Sequence, residues 1–136
     1  MSYHQFLKNL EANKIYETIA LERICDLNNV SLLNTCDTSA YDFKTSDNIT
    51  YEVKCDHMVL NTGNFYIEFC GYGKPSGISI SQAQYHILTD KKYYFLISTD
   101  KLRALTENCI RKKTSDGLTS GYLLKRGFIV KNSVCI

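Results

Sequence analysis

Residues 41–55, YDFKTSDNITYEVKC, constrain the fold more than any other stretch of this chain. Residues 41–46 and 49–55 have the composition of strands. Between them, Asp47 and Asn48 are short polar residues that suit a tight turn. The stretch therefore predicts a β-hairpin. Glu52 and Lys54 are two apart in the second strand, so they share a face. Tyr51, Val53 and Cys55 share the other face, which is apolar. Asp42 lies near the start of the first strand, and a hairpin brings it across from the Glu52 end of its partner. Two carboxylates and an ammonium then meet on one surface.

That set suits one kind of chemistry. Phosphodiester hydrolysis needs a hard cation to polarise the phosphate and to lower the pKa of an attacking water. Mg²⁺ takes oxygen ligands, often only one or two carboxylates, and fills its shell with water and substrate phosphate. Asp42 and Glu52 would supply those carboxylates. Lys54 would position the water or stabilise charge developing on the phosphate. The competing reading is a plain surface ladder, because Glu and Lys often alternate with apolar residues on a half-exposed strand.

Glu17 strengthens the functional reading. Residues 2–26 have helical periodicity, with Tyr3, Phe6, Leu10, Leu21 and Ile24 along one face. Glu17 is seven positions from both Leu10 and Ile24, so it belongs to that apolar stripe. A carboxylate there must be neutralised, hydrogen-bonded or bound to a cation, or reach water from the core's edge. Glu11 and Glu22 fall on the polar side.

The 136 residues are enough for one domain spanning 1–136. No apolar run approaches transmembrane length, and MSYHQFLKNLEANK is no signal peptide, so an intracellular protein without membrane contact is expected. The six cysteines are scattered with no CxxC pair, which predicts reduced, mostly buried thiols and no structural zinc. The net charge of +2 excludes nothing. However, Arg111, Lys112, Lys113, Lys125, Arg126 and Lys131 make the last quarter basic, as a phosphate-facing surface or an ordinary solvated one would be. After an apolar VSLL and a polar linker, further strands are predicted at 65–72 and 91–99. A helix is predicted at 81–89 with Ser81 as N-cap, and another at DKLRALTENC. GYLLKRGFIV reads as a closing strand or hairpin. The order is helix, three strands, helix, strand, helix, and it predicts a mixed sheet in an α/β fold.

In this order the residues resemble the PD-(D/E)XK nuclease superfamily. The resemblance runs from about residue 10 to 99. It rests on KIYETIALERI with Glu17, YDF with Asp42, YEVK with Glu52 and Lys54, and the strand, helix and strand that follow. It looks most like small members such as Holliday-junction resolvases and phage or viral nucleases. Tyr41 stands where the motif has proline, a position that varies in the superfamily. The resemblance implies a restriction-endonuclease-like αβββαβ core with a mixed central sheet flanked by helices. It also implies a nuclease, with DNA the expected substrate and Mg²⁺ or Mn²⁺ the cofactor. Asp42 and Glu52 would hold the metal, Lys54 would serve the nucleophile and Glu17 would assist. A homodimer presenting two sites suits so small a chain.

Other residues have two readings each. Glu68 shares a face with Tyr66 and Cys70 and would either join the acidic cluster or sit at the sheet margin. Gln84, more than Gln82, would reach the catalytic face from the second helix or lie on its surface. Lys74, Ser76 and Gly77 form a loop suited to phosphate contact or to simple connection. His57 lacks a second ligand pair, and His4 and His86 carry no pattern. Tyr85, Tyr93 and Tyr94 read as core. Two rival functions remain at this point: a catalytically silent nucleic-acid-binding or assembly subunit of the same fold, and an unrelated α/β interaction module with a coincidental ExK.

Overall fold

The computed structural model describes residues 3–36 and 40–136, with side chains from residue 13 onward. Phe6, Leu10 and Glu11, part of the stripe argument, have side chains outside that range. The chain folds as mixed α/β. Among the described residues there are four α-helices, α1 (Tyr3–Asn28), α2 (Val59–Thr62), α3 (Thr99–Thr106) and α4 (Arg126–Asn132).

The larger sheet is built on the hairpin expected from the sequence. Strand β2 (Phe43–Thr45) pairs antiparallel with β3 (Thr50–Cys55), with Phe43 opposite Tyr51. Asn48 in the turn has φ 66°, the left-handed backbone that asparagine tolerates. The VSLL stretch leads into an exposed edge strand, β1 (Leu32–Thr35), antiparallel to β2. On its other side β3 pairs parallel with β6 (Tyr85–Thr89), which pairs antiparallel with β7 (Tyr94–Ser98). A short β10 (Val134–Cys135) closes the sheet, whose order is β1-β2-β3-β6-β7-β10. The sheet is mixed, as expected.

Three expectations fail. Residues 85–89 are a strand and not part of a helix over 81–89, so Ser81 caps no helix. The Gln, Ala and Leu of this stretch favour a helix, but burial decides: His86, Ile87, Leu88 and Thr89 are all buried, covered on both faces of a central strand. The strand expected at 65–72 forms, as β4 (Asn64–Gly71), but it leaves the hairpin. It belongs to a second sheet, ordered β5-β4-β9-β8, with β5 (Lys74–Pro75), β8 (Ile110–Lys113) and β9 (Thr119–Lys125). Finally, the closing strand stops at Lys125, and residues 126–132 form α4. Ile129 is buried there while its neighbours Phe128 and Val130 are exposed, so a single apolar residue anchors the turn.

The two faces of the larger sheet carry different cores. Helix α1 covers one face, where Ala20, Ile24, Phe43, Tyr51, Ile87 and Tyr94 pack together. On the other face, Leu88, Phe95 and Ile97 pack against Phe65, Ile67 and Leu124 of the second sheet, with Leu102 of α3 and Ile129 of α4. Strand β6 serves both cores, with Ile87 on one side and Leu88 on the other. Asp90 and Arg126 fasten this arrangement. The fully buried Asp90 carboxylate accepts the Arg126 Nε–H at 2.8 Å and the backbone N–H groups of Lys92 and Tyr93 at 2.9 and 2.8 Å. One member of the basic C-terminal cluster is therefore occupied structurally. Cys25, Cys55, Cys70, Cys109 and Cys135 are free thiols, none of them fully buried, against the expectation from the sequence, and partial burial pushes the Cys55 thiol up to about 11.

Candidate active site

Alternation along β3 is the starting point. Tyr51 is buried in the α1-side core and Val53 packs against it. Glu52 and Lys54 therefore share the opposite face. Glu52 is buried, while the Lys54 side chain is 52% exposed. Its Nζ stands 3.5 Å from Glu52 Oε1.

Asp42 reaches this pair by the path expected of a hairpin. Its backbone N–H donates to the Tyr51 carbonyl at 2.9 Å, extending the ladder beyond β2. Its Oδ2 accepts the Val53 N–H at 2.7 Å, which fixes the carboxylate beside the peptide between Glu52 and Lys54. Burial raises the Asp42 pKa above its ordinary value. The Val53 N–H opposes this rise, the Glu52 charge adds to it, and Lys54 and His86 pull it down. Burial also pushes Glu52 up, but contacts with His86, Lys54 and Ser81 outweigh it and hold that carboxyl below its ordinary value. The two acids thus differ: its neighbours favour the ionised form of Glu52, and burial disfavours that of Asp42.

His86 is the residue sequence reasoning missed. It is 2% exposed and sits opposite Glu52 in the parallel β3–β6 register. Its Nε2 lies 3.2 Å from Glu52 Oε2, and its Nδ1 is 2.8 Å from the Thr99 hydroxyl at the start of α3. No local pattern marks it. The signal lies in the pairing of two strands 34 residues apart, and it vanishes once residues 81–89 are read as a helix.

The remaining candidates divide. Glu17 is half-buried on α1. Burial is the main cause of its raised pKa, and the charge of Asp42 adds to it. Helix α1 covers the face opposite Glu52 and Lys54, and Glu17 is linked to the cluster through the charge of Asp42. Glu68 lines a pocket of ≈ 210 Å³ together with Lys54, Tyr66, Gly77, Ile78 and His86. Its Oε2 accepts the Ser76 hydroxyl at 2.8 Å. Gly77 is required there: it has φ +53°, and a Cβ would stand 2.2 Å from the Glu68 carbonyl oxygen. Gln84 is not on a catalytic helix. It precedes β6, and its Oε1 accepts the Thr50 N–H at 3.1 Å, pinning the start of β3. Lys74 is exposed on β5 at the edge of the second sheet. His57 contacts Asn13 Oδ1 at 3.0 Å and Tyr16 edge-on, tying its loop to α1. Arg111, Lys112 and Lys113 are exposed on the edge strand β8, with Arg111 over the rings of Phe69 and Tyr122.

A divalent cation can be tested against these donors. Among the described residues, no three His, Cys, Asp or Glu side chains are grouped so that they could hold a metal ion. Mg²⁺, however, commonly takes one or two protein carboxylates. Glu52 is already compensated by His86, Lys54 and Ser81, whereas burial raises the Asp42 pKa despite the Val53 N–H, so a cation would gain most at Asp42. The oxygens of Asp42 and Glu52 are the hard donors the chain offers to a small divalent ion.

The chain matches no known protein family, no curated protein and no solved structure.

Proposed function

We propose that the protein is a metal-dependent nuclease with a restriction-endonuclease-like core, hydrolysing phosphodiester bonds in nucleic acid, DNA in the first instance. One observation carries this reading: the Val53 N–H holds the Asp42 carboxylate against the strand segment that bears Glu52 and Lys54. This contact gathers residues 10 and 12 positions apart into one cluster. Helix α1, the β2–β3 hairpin and the mixed sheet support this reading, while the strand expected third, residues 65–72, lies in the second sheet. The helix expected over residues 81–89 is absent, and β6 stands in its place.

Asp42 and Glu52 would hold Mg²⁺ or Mn²⁺, with Glu17 assisting. When bound, the ion supplies Lewis acidity toward the phosphate and a lowered pKa for water. The chain's own groups do the rest. Lys54 Nζ, held near Glu52 yet half-exposed, orients the attacking water and stabilises charge on the phosphate oxygens. Glu52, kept ionised by its neighbours, gives the site constant negative charge near neutral pH. The pocket beside Lys54 receives the nucleotide next to the scissile bond, and the exposed cations of β8 offer contacts to the phosphate backbone.

A homodimer with two sites belongs to the same proposal. Sedimentation as a monomer, free and with DNA, would overturn that part. A catalytically silent subunit is the alternative, and retention of all three central residues disfavours it. The site is tested by calorimetric titration with Mn²⁺. Binding to the wild type that is lost in Asp42→Asn and Glu52→Gln supports the reading. Binding unchanged in both variants refutes it.

A further inference from the structure

His86 has no place in the reading above, yet it is a buried imidazole set between two partners whose chemistry leaves it one arrangement. Its Nε2 lies 3.2 Å from Glu52 Oε2, and its Nδ1 lies 2.8 Å from the hydroxyl of Thr99, which is also buried. An ionised carboxylate only accepts hydrogen bonds, so the proton facing Glu52 is carried by Nε2. The neutral ring has one N–H, so Nδ1 is then an acceptor and the Thr99 hydroxyl donates to it. The bonds therefore run one way: Thr99 O–H to Nδ1, and Nε2–H to Glu52.

The consequence falls on the two oxygens of Glu52. Oε2 is turned toward His86, and Oε1 is the oxygen that meets Lys54 Nζ at 3.5 Å. The Ser81 hydroxyl reaches the same carboxylate, and its oxygen accepts the Ala83 N–H at 3.3 Å. A glutamate side chain would otherwise turn about its own torsions, and a fixed imidazole removes much of that freedom. The anchor itself is held firmly. His86 lies on the central strand β6, directly opposite Glu52 in the parallel register, and Thr99 opens α3. Carboxylates at metal centres are commonly oriented this way, by hydrogen bonds from groups that do not touch the ion.

We propose that His86 is a positioning residue: its Nε2–H holds Glu52 Oε2 inward so that Oε1 is presented to Lys54 and the reaction, and the Thr99 hydroxyl fixes the tautomer that does this. The inference rests on the nuclease reading above and assigns His86 no contact with an ion or with substrate. It differs from the role of a histidine that only fills the core, whose substitution would change stability and leave the rate per folded molecule alone.

Two measurements on the full chain test this. The first is imidazole ¹⁵N NMR of the wild type. The chain has three histidines, so the signals that survive both His4→Gln and His57→Gln belong to His86. They should show Nε2 protonated and Nδ1 bare. A protonated Nδ1 would overturn the proposal, even if every His86 variant fails to fold. The second is kcat and KM for Mg²⁺-dependent cleavage of DNA, expressed per folded molecule. His86→Leu should lower kcat roughly 10- to 100-fold with KM for DNA nearly unchanged, and His86→Gln, which keeps an N–H donor, should recover most of that loss. Thr99→Val should lower kcat by a smaller factor, and Thr99→Ser should restore it. An active wild type whose kcat is unchanged in His86→Leu, or is lost equally in His86→Leu and His86→Gln, would overturn the role of His86 and leave the nuclease reading standing. A wild type that cleaves no substrate would overturn that reading and this role together.

Discussion

At the scale of single residues, the site is built against stability. Asp42 has a raised pKa, so the folded state binds more protons there than the unfolded chain. Its contribution is then fully present below the ordinary value of 3.8 and is lost as pH rises through the folded value. Asn at this position keeps an oxygen for the Val53 N–H and removes the charge. Asp42→Asn should therefore raise Tm at neutral pH by roughly 3 °C, with the difference shrinking as pH falls toward the acid range, while activity is lost. Thermal melts at several pH values check this. Asp90 is the opposite case. Burial pushes it up, but the Tyr93 and Lys92 N–H groups and Arg126 outweigh burial and hold it below its ordinary value of 3.8. The stabilisation it gives is full above that value and is lost as pH falls through the lowered folded value. Arg126→Ala leaves a fully buried carboxylate without its cation. It should cost about 3–5 kcal/mol, read by urea unfolding at neutral pH. Asp42, Glu52 and Lys54 were legible in the sequence because hairpin alternation is local. His86 and the Asp90–Arg126 pair were not, because each depends on partners more than 30 residues away.

At the scale of elements, β6 decides how the site is assembled. In sequence its residues suit a helix that starts at Ser81 as N-cap after the glycine loop. What makes it a strand is tertiary: hydrogen-bonded neighbours on both edges and a core on each face. The hairpin, α1, β7 and α3 were legible because their periodicity or turn residues are self-sufficient. The second sheet was not, because nothing in residues 65–71 distinguishes pairing with β3 from pairing with β9. Burial of β6 also sets its dynamics. The amides of Ile87 and Leu88 should exchange at the rate of global unfolding, and those of the exposed edge strands β1 and β8 should exchange orders of magnitude faster. Hydrogen exchange followed by NMR gives the comparison. Fast exchange in β6 would mean that the pairing of Glu52 with His86 is not maintained.

At the scale of the whole molecule, one sheet supports two cores and one site. Ile87 packs against the α1 side and Leu88 against the second sheet, so neither core can open without disturbing β6. Unfolding should be a single cooperative transition, coincident by far-ultraviolet circular dichroism and by emission from the ten tyrosines, there being no tryptophan. Separate transitions would mean that the second sheet is an independent unit.

The same architecture leaves Lys54 half-exposed above a buried, ionised Glu52, and this juxtaposition is what the nuclease reading requires of the fold. Phosphodiester cleavage by purified wild type, Glu52→Gln and Lys54→Ala, with and without Mg²⁺, is the most direct test. Duplex, branched and single-stranded DNA and an RNA strand would serve as substrates. Cleavage by the wild type should require the ion, and each substitution should lower its rate at least a hundredfold. Cleavage that survives both substitutions, or a wild type inert toward every substrate with the ion present, would contradict the account.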